Sequence, residues 1–290
     1  MKLSYTESIP VWLRTRANEM INRPVDLKNK YVHVTQLISP APMLRLQDEH
    51  WSELEVSADD LIPAMLGAAW HQYLEGAEPG GYVEQRIETM CGDWCVIGSP
   101  DWYSTQVIKD YKTTKVWSRI FGKREWEEQT NIYRWLIHQS TGIEVPRLEI
   151  HVIYTDWTAN GLKRIDGHPP KRWEVIDVPV WPMDDTDRFI KARLAAIEEV
   201  QAIAETPLPD PYCTAGERWE RGECWAVMRE GRKSAMPGGL RENAHDAGEM
   251  AMSITGGYVE HRPGNPVRCK DWCSVRRFCQ FGKTLVDDDQ

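Results

Sequence analysis

The sequence predicts an α/β (α+β) fold with a mixed set of strands, flanking helices and an irregular C-terminal tail. Three observations carry that expectation. Between about residues 50 and 205, helix-period and strand-period stretches follow one another as helix, strands, helix, strands, helix. The chain of 290 residues is 41% hydrophobic, enough to bury a core without disulfide staples. A proline-rich break, Thr206-Pro207-Leu208-Pro209-Asp210-Pro211, separates this region from a tail of low periodicity that holds five of the seven cysteines. The expected division is 1–55, a helical or irregular N-terminal segment; 56–205, the core; and 206–290, a cysteine-containing segment packed on that core.

Each element has a local cause. Residues 1–50 mix polar segments with one strand-like or turn-like stretch at Tyr31-Val32-His33-Val34. Ser57 can cap a helix running to Glu75, with Asp59 and Asp60 in its first turn and Leu61, Met65, Ala68 and Ala69 at helical spacing. Pro63 fits such a helix only in the first turn. Strand-like runs follow at Tyr82–Met90, Trp94–Gly98 and Gln106–Thr113, with a hairpin signal at Gly92-Asp93. Glu125–Gln139 reads as a second helix. Glu149–Trp157 and Arg172–Val180 read as strands around a loop at Gly161–Lys171. Asp184–Glu205 is a third helix, with Ile190, Leu194, Ile197 and Val200 on one stripe.

The longest uncharged apolar run, Leu61–Trp70, is too short to span a bilayer, and the N-terminal residues have no signal-like apolar stretch. A cytoplasmic protein with no membrane partner is expected. The odd cysteine count then argues against a disulfide framework. Net charge is −9, which speaks against non-specific coating of nucleic acid. The charge is uneven, however. Lys109–Arg124 carries six bases against the single acid Asp110, and His261–Gln280 carries five against Asp271. Two basic islands in an acidic chain suggest a localised anionic ligand.

Asp101 follows Gly98-Ser99-Pro100, and Asp110-Tyr111-Lys112-Thr113 follows eight residues later. On a strand, Asp110 and Lys112 point one way and Tyr111 the other. Asp101, at the start of the preceding turn, can approach them. Two carboxylates and an ammonium suit phosphodiester hydrolysis. The carboxylates hold a hard divalent cation, and the lysine orients water and stabilises developing negative charge. A bare Asp-x-Lys is common on strands. Here it is joined by His71 on the preceding helix and by Gln129 and Tyr133, which share a face at i, i+4 on the following helix.

In that order and spacing, His71, Gly98-x-x-Asp101, Asp110-x-Lys112-Thr113 and Gln129-x-x-x-Tyr133 resemble the PD-(D/E)XK nuclease superfamily, in particular its RecB-type exonuclease branch with phage-encoded and CRISPR-associated members. The resemblance covers about residues 60–140 by motif and reaches roughly 280 with the cysteine tail. It implies a restriction-endonuclease-like core with a mixed central sheet. It also implies that Asp101, Asp110, His71 and the carbonyl of Tyr111 hold Mg²⁺ or Mn²⁺, that Lys112 is the catalytic lysine, and that Gln129 and Tyr133 support the site or contact DNA. Glu84 and Glu88 lie where related nucleases often carry a further acid, and the sequence does not choose between them. The implied activity is a DNA exonuclease acting at ends or single strands in phage or prokaryotic recombination, repair or processing, with recombination or replication proteins as partners. A non-catalytic DNA-binding protein and a structure- or sequence-specific endonuclease are the alternatives.

Cys269, Cys273 and Cys279 form C-x3-C-x5-C, which suggests a soft metal or an iron–sulfur centre. Cys213, just after the proline-rich break, is the expected fourth ligand, with Cys224 in reserve. Cys91 and Cys95 read as packed thiols. Similar nucleases hold a 4Fe-4S cluster through one distant and three C-terminal cysteines, which implies the same cofactor here. The first spacing (x3) and the position of Cys213 after the nuclease motifs depart from the usual pattern and leave Zn²⁺ open. Fourteen tryptophans against four phenylalanines favour surfaces that are apolar on one side and wet on the other. Trp102, Tyr103, Trp117 and Trp126 bracket the site, and one or two of them are expected to line a single-strand path.

Overall fold

The computed structural model describes residues 1–4, 10–21, 27–74, 77–203 and 213–285. The chain divides into two compact units, Met1–Thr206 and Pro207–Gln290. Residues 1–55 therefore belong to the first unit. There β1 (Lys2–Ser4), α1 (Val11–Met20), β2 (Tyr31–His33), α2 (Val34–Leu37) and α3 (Ala41–Glu49) precede β3 (Glu55–Ser57), which leads into α4 (Ala58–Leu74). Next come β4 (Tyr82–Val83), β5 (Ile87–Cys91), β6 (Trp94–Gly98), β7 (Trp102–Tyr103) and β8 (Val107–Thr114). The unit continues with α5 (Trp117–Phe121), α6 (Arg124–Thr141), β9 (Arg147–Tyr154), α7 (Ala159–Arg164), β10 (Trp173–Val178) and α8 (Met183–Ala202).

The main sheet is mixed, in the order β10-β9-β8-β7-β4. β8 and β9 run parallel, with Asp110 opposite Ile150 and Tyr111 opposite His151, while the other pairs are antiparallel. α6 packs on β8 and β9, and the fully buried Ile132, Leu136, Ile108, Leu148 and Ile150 belong to these elements. α4 also packs on β8. A Cβ at Gly67 would stand 3.3 Å from the Thr113 hydroxyl, so this glycine lets the helix come close to the strand. A second sheet, β2-β6-β5, contains the hairpin expected at Gly92-Asp93, with Cys91 opposite Trp94. α8 buries the stripe Ile190, Leu194, Ile197 and Val200. Its last carbonyls are satisfied by the buried Arg45, which donates to Val200 O at 2.7 Å and Ile203 O at 2.8 Å.

Several expectations need correction. Pro63 lies inside α4, beyond the first turn. The helix persists because its N-terminal half is held from outside: Ala58, Leu61 and Met65 pack with Leu13 and Ala17 of α1. The strand expected over Tyr82–Met90 is two strands in different sheets, broken at Glu84, whose φ is +43°. The loop expected at Gly161–Lys171 begins inside α7, capped by the Thr158 hydroxyl, which accepts from Gly161 N. Among the described residues, three α-helices lie in the first 50, where a helical or irregular segment was expected without individual helices being placed.

The second unit is more regular than its sequence suggests. It contains β11 (Glu220–Arg221), β12 (Cys224–Arg229), β13 (Leu240–Arg241), α9 (Ala244–Met252), β14 (Gly257–Arg262), β15 (Asn265–Pro266) and α10 (Gln280–Thr284). The sheet β13-β12-β14 packs against α9 through Val227, Ala247 and Ala251, with Trp225, Ile254 and Val259 around them. A short β11-β15 ladder leads into one π-helical turn, Arg268–Trp272. Among the described residues, no helix is long and apolar enough to cross a membrane.

Candidate active site

Alternation along β8 splits the site into two half-shells joined by the backbone of Tyr111. On the α6 side, Asp110 is 1% exposed. The Lys112 ammonium lies 2.6 Å from its Oδ2. That contact is an ion pair without hydrogen-bond alignment, and Oδ1 has no hydrogen-bond partner among the described residues. Lys112 Nζ also donates to Gln129 Oε1 at 3.0 Å, and Gln129 Nε2 donates to Tyr133 Oη at 2.9 Å. Burial, then the charge of Asp110, pushes the Tyr133 hydroxyl far above its usual range, so it stays protonated. The i, i+4 spacing thus has a physical role: Tyr133 fixes the Gln129 amide, and Gln129 fixes the lysine.

On the α4 side, His71 Nε2 lies 2.9 Å from Tyr111 O. A carbonyl only accepts, so Nε2 carries the proton there. His71 Nδ1 is 3.5 Å from Asp101 Oδ1. Asp101 Oδ2 accepts from Tyr111 N at 2.6 Å. Burial, then the nearby charge of Asp110, pushes the Asp101 carboxyl up to about 6, against the pull of His71, the Tyr111 N–H and Lys112. Glu84 completes this side. Its N–H donates to Asp101 O at 3.2 Å. One ligand atom each from His71, Glu84 and Asp101 lie within 4.8 Å of one another. A small cleft is lined by these three residues with Leu74, Val83, Trp102 and Tyr111.

These residues fit a hard divalent cation. A buried carboxylate oxygen without a hydrogen-bond partner, and a second carboxyl pushed upward by its neighbour's charge, are the strains that a cation would relieve. His71, Asp101, Asp110, the Tyr111 carbonyl, Lys112, Gln129 and Tyr133 are therefore gathered about one stretch of β8. Asp110 does not belong to the compact trio; Glu84 does. Glu88, on β5, pairs instead with Arg86 just before that strand. The signal that singles out Glu84 is a backbone break, which sequence alternation does not carry. Trp102 and Tyr103 are buried. Trp102 donates from its indole to Glu78 O at 3.1 Å, and Lys109 stands 4.6 Å over its ring.

In the second unit, Cys213, Cys269, Cys273 and Cys279 are half-buried free thiols. Burial, then Glu217 and the other three cysteines, pushes the Cys213 thiol up to about 12. Burial, then Cys273 and Cys279, pushes Cys269 up to about 11. Cys273 is raised by burial as well, with a further push from Cys279. These four cysteines are thus electrostatic neighbours. Arg218, Arg268 and Arg276 pull the thiols the other way. Among the described residues, no three thiol sulfurs lie within 4.8 Å of one another. Cys91 and Cys95 are buried on β5 and β6 of the first unit. His245, Asp246 and Glu249 converge on α9, but all three are exposed.

No known family profile matches the chain. No curated protein matches it either. Solved structures resemble it at a distance. The crystal structure of SSO0001 shares 17% identity over 70% of this chain and 95% of that one, with a TM-score of 0.45. An alkaline exonuclease from Laribacter hongkongensis shares 14% over 60% and 92%, with a TM-score of 0.36. A phage-related exonuclease from Haemophilus somnus shares 13% over 55% and 70%, with a TM-score of 0.28.

Proposed function

We propose that this chain is a metal-dependent DNA nuclease of the PD-(D/E)XK superfamily, on its RecB-type exonuclease branch, which hydrolyses phosphodiester bonds at DNA ends or in single strands. The observation that carries this reading is the Lys112 ammonium, held 2.6 Å from buried Asp110 and 3.0 Å from Gln129, with Asp101 and His71 bound to the intervening Tyr111 backbone. Asp101, Asp110, His71 and the Tyr111 carbonyl are the residues that would hold Mg²⁺ or Mn²⁺, with Glu84 added. The cation, when bound, supplies Lewis acidity toward the scissile phosphodiester and its attacking water.

The protein's own contribution is positional and electrostatic. Lys112 orients the attacking water and donates to phosphoryl oxygens as their charge grows. Gln129 and Tyr133 keep the ammonium aimed without adding a competing charge. On DNA labelled at one end, with Mg²⁺ or Mn²⁺, the wild-type protein releases label while Lys112→Ala loses about 10²–10³-fold in rate, the usual cost of one such donor. Equal degradation by both proteins rejects the assignment. A closed circle that is cut as fast as linear DNA rejects the exonuclease branch and favours an endonuclease.

The second unit is proposed to hold a 4Fe-4S cluster on Cys213, Cys269, Cys273 and Cys279. Four thiolates suit an iron–sulfur cluster, with Zn²⁺ as the alternative. Three arginines oppose the negative charge that four thiolates would bring. Protein purified without oxygen then contains iron and acid-labile sulfide. Stoichiometric zinc in a colourless preparation overturns the cluster. Action in phage or prokaryotic DNA recombination or repair, beside recombination or replication proteins in the cytoplasm, is the setting this chemistry suits.

A further inference from the structure

Beyond the cleft, α5 presents two aromatic rings to solvent. Trp117 and Phe121 stack with centroids 5.7 Å apart and planes 17° from parallel. They are 46% and 64% exposed, and α5 has no buried residue. Among the described residues, this is the stacked pair with both rings exposed.

The pair is nonetheless held firmly. Val116 is 3% exposed and packs with Ile150, Val152 and Tyr154. Its N–H donates to Asp156 Oδ1 at 2.8 Å, and the hydroxyls of Thr114 and Ser118 lie 2.6 Å apart. The rings therefore stand on a fixed turn at the end of the strand that carries Asp110 and Lys112. Trp117 follows Lys112 by five residues, so their backbones are at most about 18 Å apart.

The surroundings favour an anion carrying flat apolar faces. Lys115 is exposed. Arg119 pairs with Glu174, and Arg124 pairs with Glu128; these arginine side chains are 47% and 79% exposed. The carboxylate is the less accessible side of each pair, at 25% and 12%, so a phosphate would share each arginine from its open side.

We infer that the Trp117–Phe121 pair is a stacking platform for the bases of an unpaired DNA strand whose backbone runs along Lys115, Arg119 and Arg124 toward Lys112. This rests on the nuclease reading above and adds a substrate preference for unpaired ends. Duplex bases already stack on one another and offer the rings nothing, whereas unpaired bases do.

The test is binding of dye-labelled oligothymidylate and of a blunt duplex of equal length to the full chain, with no divalent metal added so that nothing is cut. Trp117→Ala and Phe121→Ala each weaken oligothymidylate binding by about 5- to 150-fold, the equivalent of ~1–3 kcal/mol per stacked base, and shift duplex binding less than about twofold. Trp117→Phe keeps most of the affinity. Unchanged oligothymidylate affinity in both alanine variants overturns the platform, as does an equal loss on both DNAs. A wild-type dimer that Trp117→Ala converts to monomer in sedimentation also overturns it, because the rings then serve a second copy of the chain. The two readings fail separately: protein that binds oligothymidylate through these rings yet leaves end-labelled DNA intact with Mg²⁺ and Mn²⁺ refutes the nuclease alone.

Discussion

At Gly98 a Cβ would come within 2.7 Å of Leu136, 2.8 Å of Tyr133 and 2.9 Å of Val34. The missing side chain lets β6 lie directly against α6, and through Tyr133 it settles where Gln129 and Lys112 point. Gly98→Ala should therefore cost about 1–3 kcal/mol of stability through overpacking, read from urea unfolding, and lower nuclease rate by displacing Tyr133. Unchanged unfolding would mean that α6 simply shifts. The sequence exposed Gly98 only as a member of a spaced motif. Its reason lies in contacts with residues 34, 133 and 136, and no local pattern encodes those. Asp101, Asp110 and Lys112 were readable because strand alternation and a short turn bring them together. Glu84 was not, because its approach depends on an unusual backbone angle.

α6 was readable as a helix from Glu125 onward, yet its charged residues behave differently from what surface spacing suggests. Glu128 forms an i, i+4 pair with Arg124 at 2.9 Å while being largely buried itself. Burial outweighs the arginine and raises the Glu128 carboxyl above its ordinary 4.5. The unfolded chain then ionises first as pH rises. Stability is highest below pH 4.5 from this group's standpoint and falls as pH rises through the folded value. Glu128→Gln should stabilise the protein at neutral pH and lose that advantage below about pH 4.5, in melts followed across the pH range. An advantage that grows on acidification would show that the Arg124 pair dominates. Some of the elements that escaped sequence reading share a cause. α2 has four residues, and β4 and β7 have two each, too few for any period to develop. Pro63 misled for the opposite reason, since contacts with α1 outweigh a strong local preference.

Across the whole molecule, a net charge of −9 coexists with local surfaces built from lysine and arginine. DNA affinity should accordingly be small in salt-tolerant terms and set by a few phosphate contacts. For oligothymidylate, Lys115→Ala should reduce the slope of log affinity against log salt by roughly 0.7, the share of one phosphate on a single strand. An unaltered slope would remove Lys115 from the strand's path. Prolines mark the sequence from residue 207, and Thr206 ends the first compact unit. The order inside the second unit stayed hidden, since β11, β13 and β15 are two residues long and their partners lie far along the chain.

Glu84 adopts φ +43°, a conformation that residues with a side chain rarely take. Holding it there costs about 1–3 kcal/mol. Anyone seeking a hardier scaffold could recover that energy with Glu84→Gly, which should melt later than Glu84→Ala. The sturdier protein would bind Mn²⁺ less tightly, so durability and metal capture pull this one position in opposite directions.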